Sequence, residues 1–86
     1  MDELRYTITD KNGIHARPAG LIVQTAKQYS SAISLSSGGK TADGKKLIQL
    51  MQLGVKQGDE VVVSAVGADA GEALADIEAT LKRAGL

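Results

Sequence analysis

The residues best suited to chemistry in this 86-residue chain fall in one short stretch, Gly13-Ile14-His15-Ala16-Arg17-Pro18. An imidazole changes charge near neutrality and attacks as a nucleophile when uncharged. A guanidinium two residues further on is permanently charged and matches the oxygens of a phosphate. Pro18 locates the pair. Proline fits the first turn of a helix and breaks its interior, so a helix begins within about three residues before it. His15, Ala16 and Arg17 then stand at its N-terminus. The residue before a proline resists the helical conformation, which leaves open whether Arg17 is itself helical.

Such a helix end presents free N–H groups and the positive pole of the macrodipole, a ready site for an anion. An imidazolium is disfavoured there and the neutral nucleophile is favoured. A phosphoryl group carried on the ring would meet the same N–H groups and Arg17. The helix end supplies roughly 0.3–1 kcal/mol when exposed and ~2 in a favourable setting. Since 1.4 kcal/mol is only a factor of about 10, it steadies a phosphate without trapping it. No deep pocket or metal cage is expected. On physics alone the stretch is a candidate anion or phosphoryl site.

The elements that must position it follow from periodicity. Leu4, Tyr6 and Ile8 alternate with polar residues as in a half-buried strand, and Asp10-Lys11-Asn12-Gly13 supplies turn chemistry. Ala19, Ile22, Val23 and Ala26 make one stripe of a helix. Ile33 and Leu35 alternate with serines, and Lys40 to Ala42 return across a Gly38-Gly39 turn. Leu47, Leu50 and Met51 suggest a helix of two turns closed by Gly54. Val61 to Val66 is the strongest strand. Asp69 and Glu72 have capping spacing, with Asp69 as N-cap, ahead of a helix with Ala73, Leu74, Ile77, Leu81 and Ala84 on its apolar face. The order β-α-β-β-α-β-α indicates an α+β fold, an antiparallel sheet covered on one face by helices.

Length and composition bound the rest. Eighty-six residues make one domain, 1-86. Lys and Arg number 10 and so do Asp and Glu, and there is no Trp or Phe, which argues against nucleic-acid binding. Cysteine is absent and histidine single, so thiolate chemistry, disulfides and His-rich metal sites are excluded and neither metal nor cofactor is expected. No stretch approaches the ~20 apolar residues of a membrane span. The start of the chain does not read as a secretory signal, so the expected location is cytoplasmic. An independent hydrolase is not supported, because nothing supplies an oriented triad.

Gly13-Ile14-His15-Ala16-Arg17-Pro18-Ala19 closely resembles the active-site segment of the HPr family, the histidine-containing phosphocarriers of the bacterial phosphoenolpyruvate-dependent sugar phosphotransferase system. Gly39-Lys40-Thr41, Met51-Gln52-Leu53-Gly54 with Gly58, and Ser64-Ala65 with Gly67 follow in the family's order, so the similarity covers essentially the whole chain. The resemblance implies an open-faced β-sandwich, a four-stranded antiparallel sheet with three helices on one face. It implies that His15 caps the first helix and is phosphorylated on Nδ1 by enzyme I, and that the group passes to IIA components of sugar permeases. Arg17 and the Ala16 and Arg17 amides would receive the phosphate. It implies a carrier rather than an enzyme, and a monomer with transient partners is the default expectation.

Partner contact is expected around Gly20, Leu21, Gln24 and Lys27 on the first helix, and around Leu47, Ile48 and Met51 on the second, because apolar side chains beside a reactive group suggest docking. Lys27, Lys45 and Lys46 are candidates for steering acidic partners. Many family members carry a regulatory serine where this chain has Lys46. Lysine cannot take a kinase phosphate or cap the short helix, and its charge opposes the dipole. Serine-linked regulation is therefore not expected, Asp43 is the candidate cap, and Gly44 is expected to loosen the loop. A regulatory or nitrogen-branch module of the same fold, acting by docking, is the alternative.

Overall fold

The computed structural model describes residues 2–86. Strand β1 (Asp2–Thr7) leads to helix α1 (Ala16–Ala26). The hairpin β2 (Ala32–Ser37) and β3 (Lys40–Asp43) follows, then α2 (Leu47–Gln52), β4 (Glu60–Val66) and α3 (Ala70–Arg83). The four strands form one antiparallel sheet in the order β1-β4-β2-β3.

Period-two patterning decides which side of the sheet is covered. Val61, Val63 and Ala65 of β4 are buried, as are Ile33 and Leu35 of β2. The register sets Leu35 opposite Val63 and Ile33 opposite Ala65, so their side chains share one face. Leu4 and Tyr6 of β1 pack against the same core. The other face carries Arg5, Thr7, Ser36 and Ser64, with Arg5 and Glu60 paired at 3.1 Å in the open.

Helices α1 and α3 cover the apolar face. Ala19, Ile22 and Ala26 of α1 and Ala73, Ile77 and Leu81 of α3 are fully buried. Between the helices the hydroxyls of Thr25 and Thr80 meet at 2.8 Å, and each also reaches the carbonyl four residues back, on Leu21 and Asp76. The polar pair is therefore satisfied inside an apolar seam. In α2 the expected stripe is inward only at Leu50, joined by Leu53 just beyond the helix. Leu47 and Met51 turn outward. No helix among the described residues is long and apolar enough to cross a membrane.

Two caps differ from expectation. Asp69 occupies the N-cap position of α3, but its carboxylate makes no cap bond. It accepts instead from the Ser30 N–H (2.9 Å) and hydroxyl (3.2 Å), the Ser31 N–H (3.0 Å) and the Ser31 hydroxyl. Four donors from the α1–β2 loop outcompete one helix amide. Asp43 does not cap α2 either. Its Oδ1 accepts the Lys45 N–H at 2.9 Å, and the Gln49 side chain reaches back to accept the Asp43 N–H at 2.9 Å. Nor is the loop loose at Gly44, whose N–H donates to Ile33 O at 2.7 Å. A Cβ at Gly44 would lie 2.8 Å from Ile33 Cγ2, so close packing excludes a side chain there.

The Ser31 hydroxyl first, then the Ser30 amide, hold the Asp69 carboxyl down to about 2 from 3.8. A carboxyl depressed by folding adds stability above its unfolded value and loses it as pH falls through its folded value. Asp69→Asn should thus lower the melting temperature at neutral pH. The difference from the native chain should fade as pH is taken from 3.8 to about 2. Thermal unfolding against pH for the two proteins measures this, and parallel curves would show that the serine contacts carry no such linkage.

Candidate functional site

The site is built on the loop between β1 and α1. That loop is held from two directions. Ile8 N–H donates to Asp59 O at 2.9 Å and Gly58 N–H to Ile8 O at 2.7 Å. Ile14 N–H reaches Val55 O at 3.4 Å, and the Gln57 side chain reaches Thr9 O at 3.1 Å. On the other side the Thr9 hydroxyl donates to Leu86 O at 2.9 Å, and the buried Leu86 side chain anchors the end of α3 beneath the loop.

Gly13 is the tightest point of this arrangement. Its φ is 62°, and a Cβ there would stand 1.9 Å from Val55 O. Both the left-handed backbone and the close approach call for glycine. Immediately after it Ile14 plugs into the core, which turns His15 outward.

His15 is the N-cap residue of α1, with φ −108° and ψ −174°, and Arg17 is already helical despite preceding Pro18. The ring makes no hydrogen bond to the helix amides. Ala19 N–H donates to His15 O at 3.0 Å, the first bond of the helix. Pro18 has no N–H, so the amides of Ala16 and Arg17 are the ones that α1 leaves without an intrahelical acceptor. An anion placed beside His15 meets these two donors.

His15, Arg17, Pro18 and Leu21 share a cavity of ≈450 Å³ with Asp10, Asn12, Arg83 and Ala84. The His15 side chain is 43% exposed, and its Nε2 lies 3.5 Å from Asp10 Oδ2. The ring's surroundings are therefore of mixed sign: amides, Arg17 and Arg83 on one hand, Asp10 on the other. Among the described residues no cluster of His, Asp or Glu could hold a metal ion.

The partner-binding candidates divide into two places. Leu21, 39% exposed, lies beside His15 in the cavity, while Gly20 and Gln24 stand on α1 outside that cavity's lining. Lys27, at the end of α1, shares a second hollow of ≈580 Å³ with Lys46, Leu47 and Ile48. Ile48 is 62% exposed and Met51, outside that hollow, 41%. Lys45 differs from expectation: its Nζ donates to Tyr29 O at 2.8 Å, so its charge is committed inward, whereas Lys27 and Lys46 are exposed. A hollow of ≈590 Å³ between β2, β3 and α2 contains neither His15 nor Arg17.

The sequence reading did not include Asp10, Asn12 and Arg83 among the site residues. Asp10 and Asn12 had a usable signal, being turn formers within five positions of the histidine. Arg83 had none, because the packing of α3 against α1 and the docking of Leu86 bring it to the loop from the far end of the chain.

The family model for the phosphorylation site of the PTS HPr component matches residues 3–83. A mycoplasma histidine-containing phosphocarrier protein superposes with a TM-score of 0.97 at 33% identity, over 99% of this chain and 97% of its own. The phosphocarrier protein HPr of Bacillus anthracis gives 0.84 at 34% identity, over 92% and 94%. Crh of Bacillus subtilis, a catabolite-repression protein seen as a swapped dimer, gives 0.77 at 36% identity, over 96% and 95%.

Gly13→Ala should strain the loop that carries the histidine. A forced left-handed conformation costs on the order of 2 kcal/mol, and the blocked approach to Val55 adds to it. Unfolding measurements should show a loss of at least that size, and amide shifts should move from residue 9 to the first turn of α1. A variant as stable as the native chain would show that the loop does not depend on this contact.

Proposed function

The chain belongs to the HPr family of the phosphotransferase system, and from that premise we propose that His15 accepts a phosphoryl group from phospho-enzyme I and delivers it to IIA components of sugar permeases. The observation that carries this reading is the exposed imidazole at the N-cap of α1, beside the amides of Ala16 and Arg17.

In the proposed transfer the Nδ1 lone pair attacks phosphorus. The bond from phosphorus to the donor atom breaks, and its electron pair stays on the donor. The incoming oxygens find the Ala16 and Arg17 amides and the Arg17 guanidinium, charge-assisted donors that need no rearrangement. Delivery reverses the step on the next partner. Phosphoenolpyruvate is the ultimate source of the group. No cofactor takes part, and the partner protein supplies the enclosure that the shallow cavity lacks.

Docking is assigned to Gly20, Leu21, Gln24 and Lys27 of α1 and to Leu47, Ile48 and Met51 of α2. Apolar side chains exposed together near a reactive group lower the cost of bringing a partner's surface to it. The free charges of Lys27 and Lys46 favour acidic surfaces. A carrier that meets its partners in turn works as a monomer in the cytoplasm. With Lys46 at the N-cap of α2, the family's serine-linked regulation is absent. The likeness to Crh keeps a second reading in view, a regulatory module that acts by docking, since the α2 patch serves either.

Incubation with enzyme I and phosphoenolpyruvate should add one acid-labile phosphoryl group to the native chain and none to His15→Ala, read by intact mass. An unchanged native mass would remove the carrier reading and leave the docking one. HPr kinase with ATP should leave the native chain unmodified, and stoichiometric serine labelling would contradict the role given to Lys46.

Ile48→Asp tests the patch. Because Ile48 is 62% exposed, its melting temperature should stay close to native. Transfer from enzyme I should slow about 10-fold or more, since a charge in the docking surface costs roughly 1.4 kcal/mol or more. Equal transfer rates would place the docking surface elsewhere.

A further inference from the structure

Asp10 makes both contacts of an ordinary turn residue and still has one carboxylate oxygen to spare. Its Oδ1 accepts the Asn12 N–H at 2.9 Å, and its backbone carbonyl accepts the Gly13 N–H at 3.0 Å. The carboxylate is thereby locked by its own turn. The remaining oxygen, Oδ2, lies 3.5 Å from His15 Nε2. Asp10 is also largely covered, with its side chain 22% exposed.

We infer that Asp10 is a positioning residue that holds the proton of the neutral His15 ring on Nε2 and so presents Nδ1 as the nucleophile. The inference rests on the carrier reading of His15 and deepens it. A neutral imidazole carries one proton on either nitrogen, and the neighbour of one nitrogen selects the tautomer. A carboxylate only accepts, so Nε2 beside it favours N–H, and a lone pair there would face the oxygen's own lone pairs. The same charge repels a dianionic phosphoryl group from Nε2. Attack by Nδ1 with Nε2–H retained makes the ring cationic as the new P–N bond forms, and Asp10 is placed to stabilise that charge. Arg17 and Arg83 line the same cavity, and no other carboxylate does.

The contact is 3.5 Å long and open to water on the His15 side, so its effect is that of a water-screened charge pair, roughly a two- to fivefold bias. Asp10→Asn separates the two functions of the residue. The amide oxygen can still accept from Asn12, preserving the turn, while its NH2 group replaces the oxygen facing Nε2. That donor favours a lone pair on Nε2 and hence the opposite tautomer. At mildly alkaline pH, long-range proton–nitrogen correlation spectra should show protonated Nε2 dominant in the native chain. In Asp10→Asn that population should fall, with phosphoryl acceptance slower by roughly two- to fivefold and the melting temperature nearly unchanged. A native ring protonated mainly on Nδ1, or an Asn variant with the native tautomer ratio and rate, would overturn the inference. The spectra need no phosphoryl donor, so they judge Asp10 even if the native chain takes no phosphate, an outcome that would sink the carrier reading instead.

Discussion

A helix mouth leaves its first N–H groups without intrahelical partners, so a polar side chain, a ligand or water must stand in front of them. Proteins ordinarily remedy this with a serine, threonine or aspartate at the N-cap. Here the N-cap is His15, whose ring does not turn back onto the amides. Pro18 reduces the problem by removing one N–H, and what remains is the pair on Ala16 and Arg17. Those donors stay solvated, held facing outward by a loop that Gly13, Ile14 and Leu86 fix to the core. The rest of the fold supports this arrangement. The sheet and the α1–α3 seam supply a rigid base, and the loop carries the reactive group.

Local signals made most of this legible from the amino-acid order. Pro18 and the stripe at Ala19, Ile22 and Ala26 locate α1 to within about three residues, and the alternation of Val61, Val63 and Ala65 identifies a strong strand. Apart from Asp43, the readings that departed from the structure in their caps and charges share one cause, which is competition from distant partners. Asp69 has the form of a cap, but two serines 38 and 39 residues away take its carboxylate. Lys45 has the form of a free cation, but Tyr29 O binds it. Asp43 spends its oxygen on its own turn. Arg83 enters the site because α3 packs against α1 and Leu86 bonds to Thr9, 77 positions away. Periodicity describes a residue's neighbours along the chain and is silent on these.

The short helix α2 follows a different economy from its two longer companions. Leu50 alone anchors it within its own span, and three of its six residues show apolar surface to water. With Lys46 at its entrance, no acidic residue in its first turn and no cap bond, its intrinsic stability is low. Its ends are held by Gln49 reaching back to Asp43 and by Leu53 entering the core. A helix kept in place by its flanks can leave its exposed face unspecialised for folding, which makes Leu47, Ile48 and Met51 available to a partner.

For a proposed carrier the useful quantity is the difference between holding a phosphoryl group and giving it up, and the signs around His15 set that difference. The two amides and the guanidiniums of Arg17 and Arg83 favour the loaded ring, while Asp10 opposes a dianion nearby and favours a cationic ring. Ala16, Arg17 and Arg83 are exposed and Asp10 is only partly covered, so water screens each effect to about 1 kcal/mol or less. Burying the site would multiply every term. It would also unbalance them, since the cationic groups outnumber the carboxylate, and the group would be retained. Exposure is therefore a functional requirement here as much as an access route. A partner that closes over the cavity removes the screening water, and the carrier's charges count fully only while donor and acceptor are both in place.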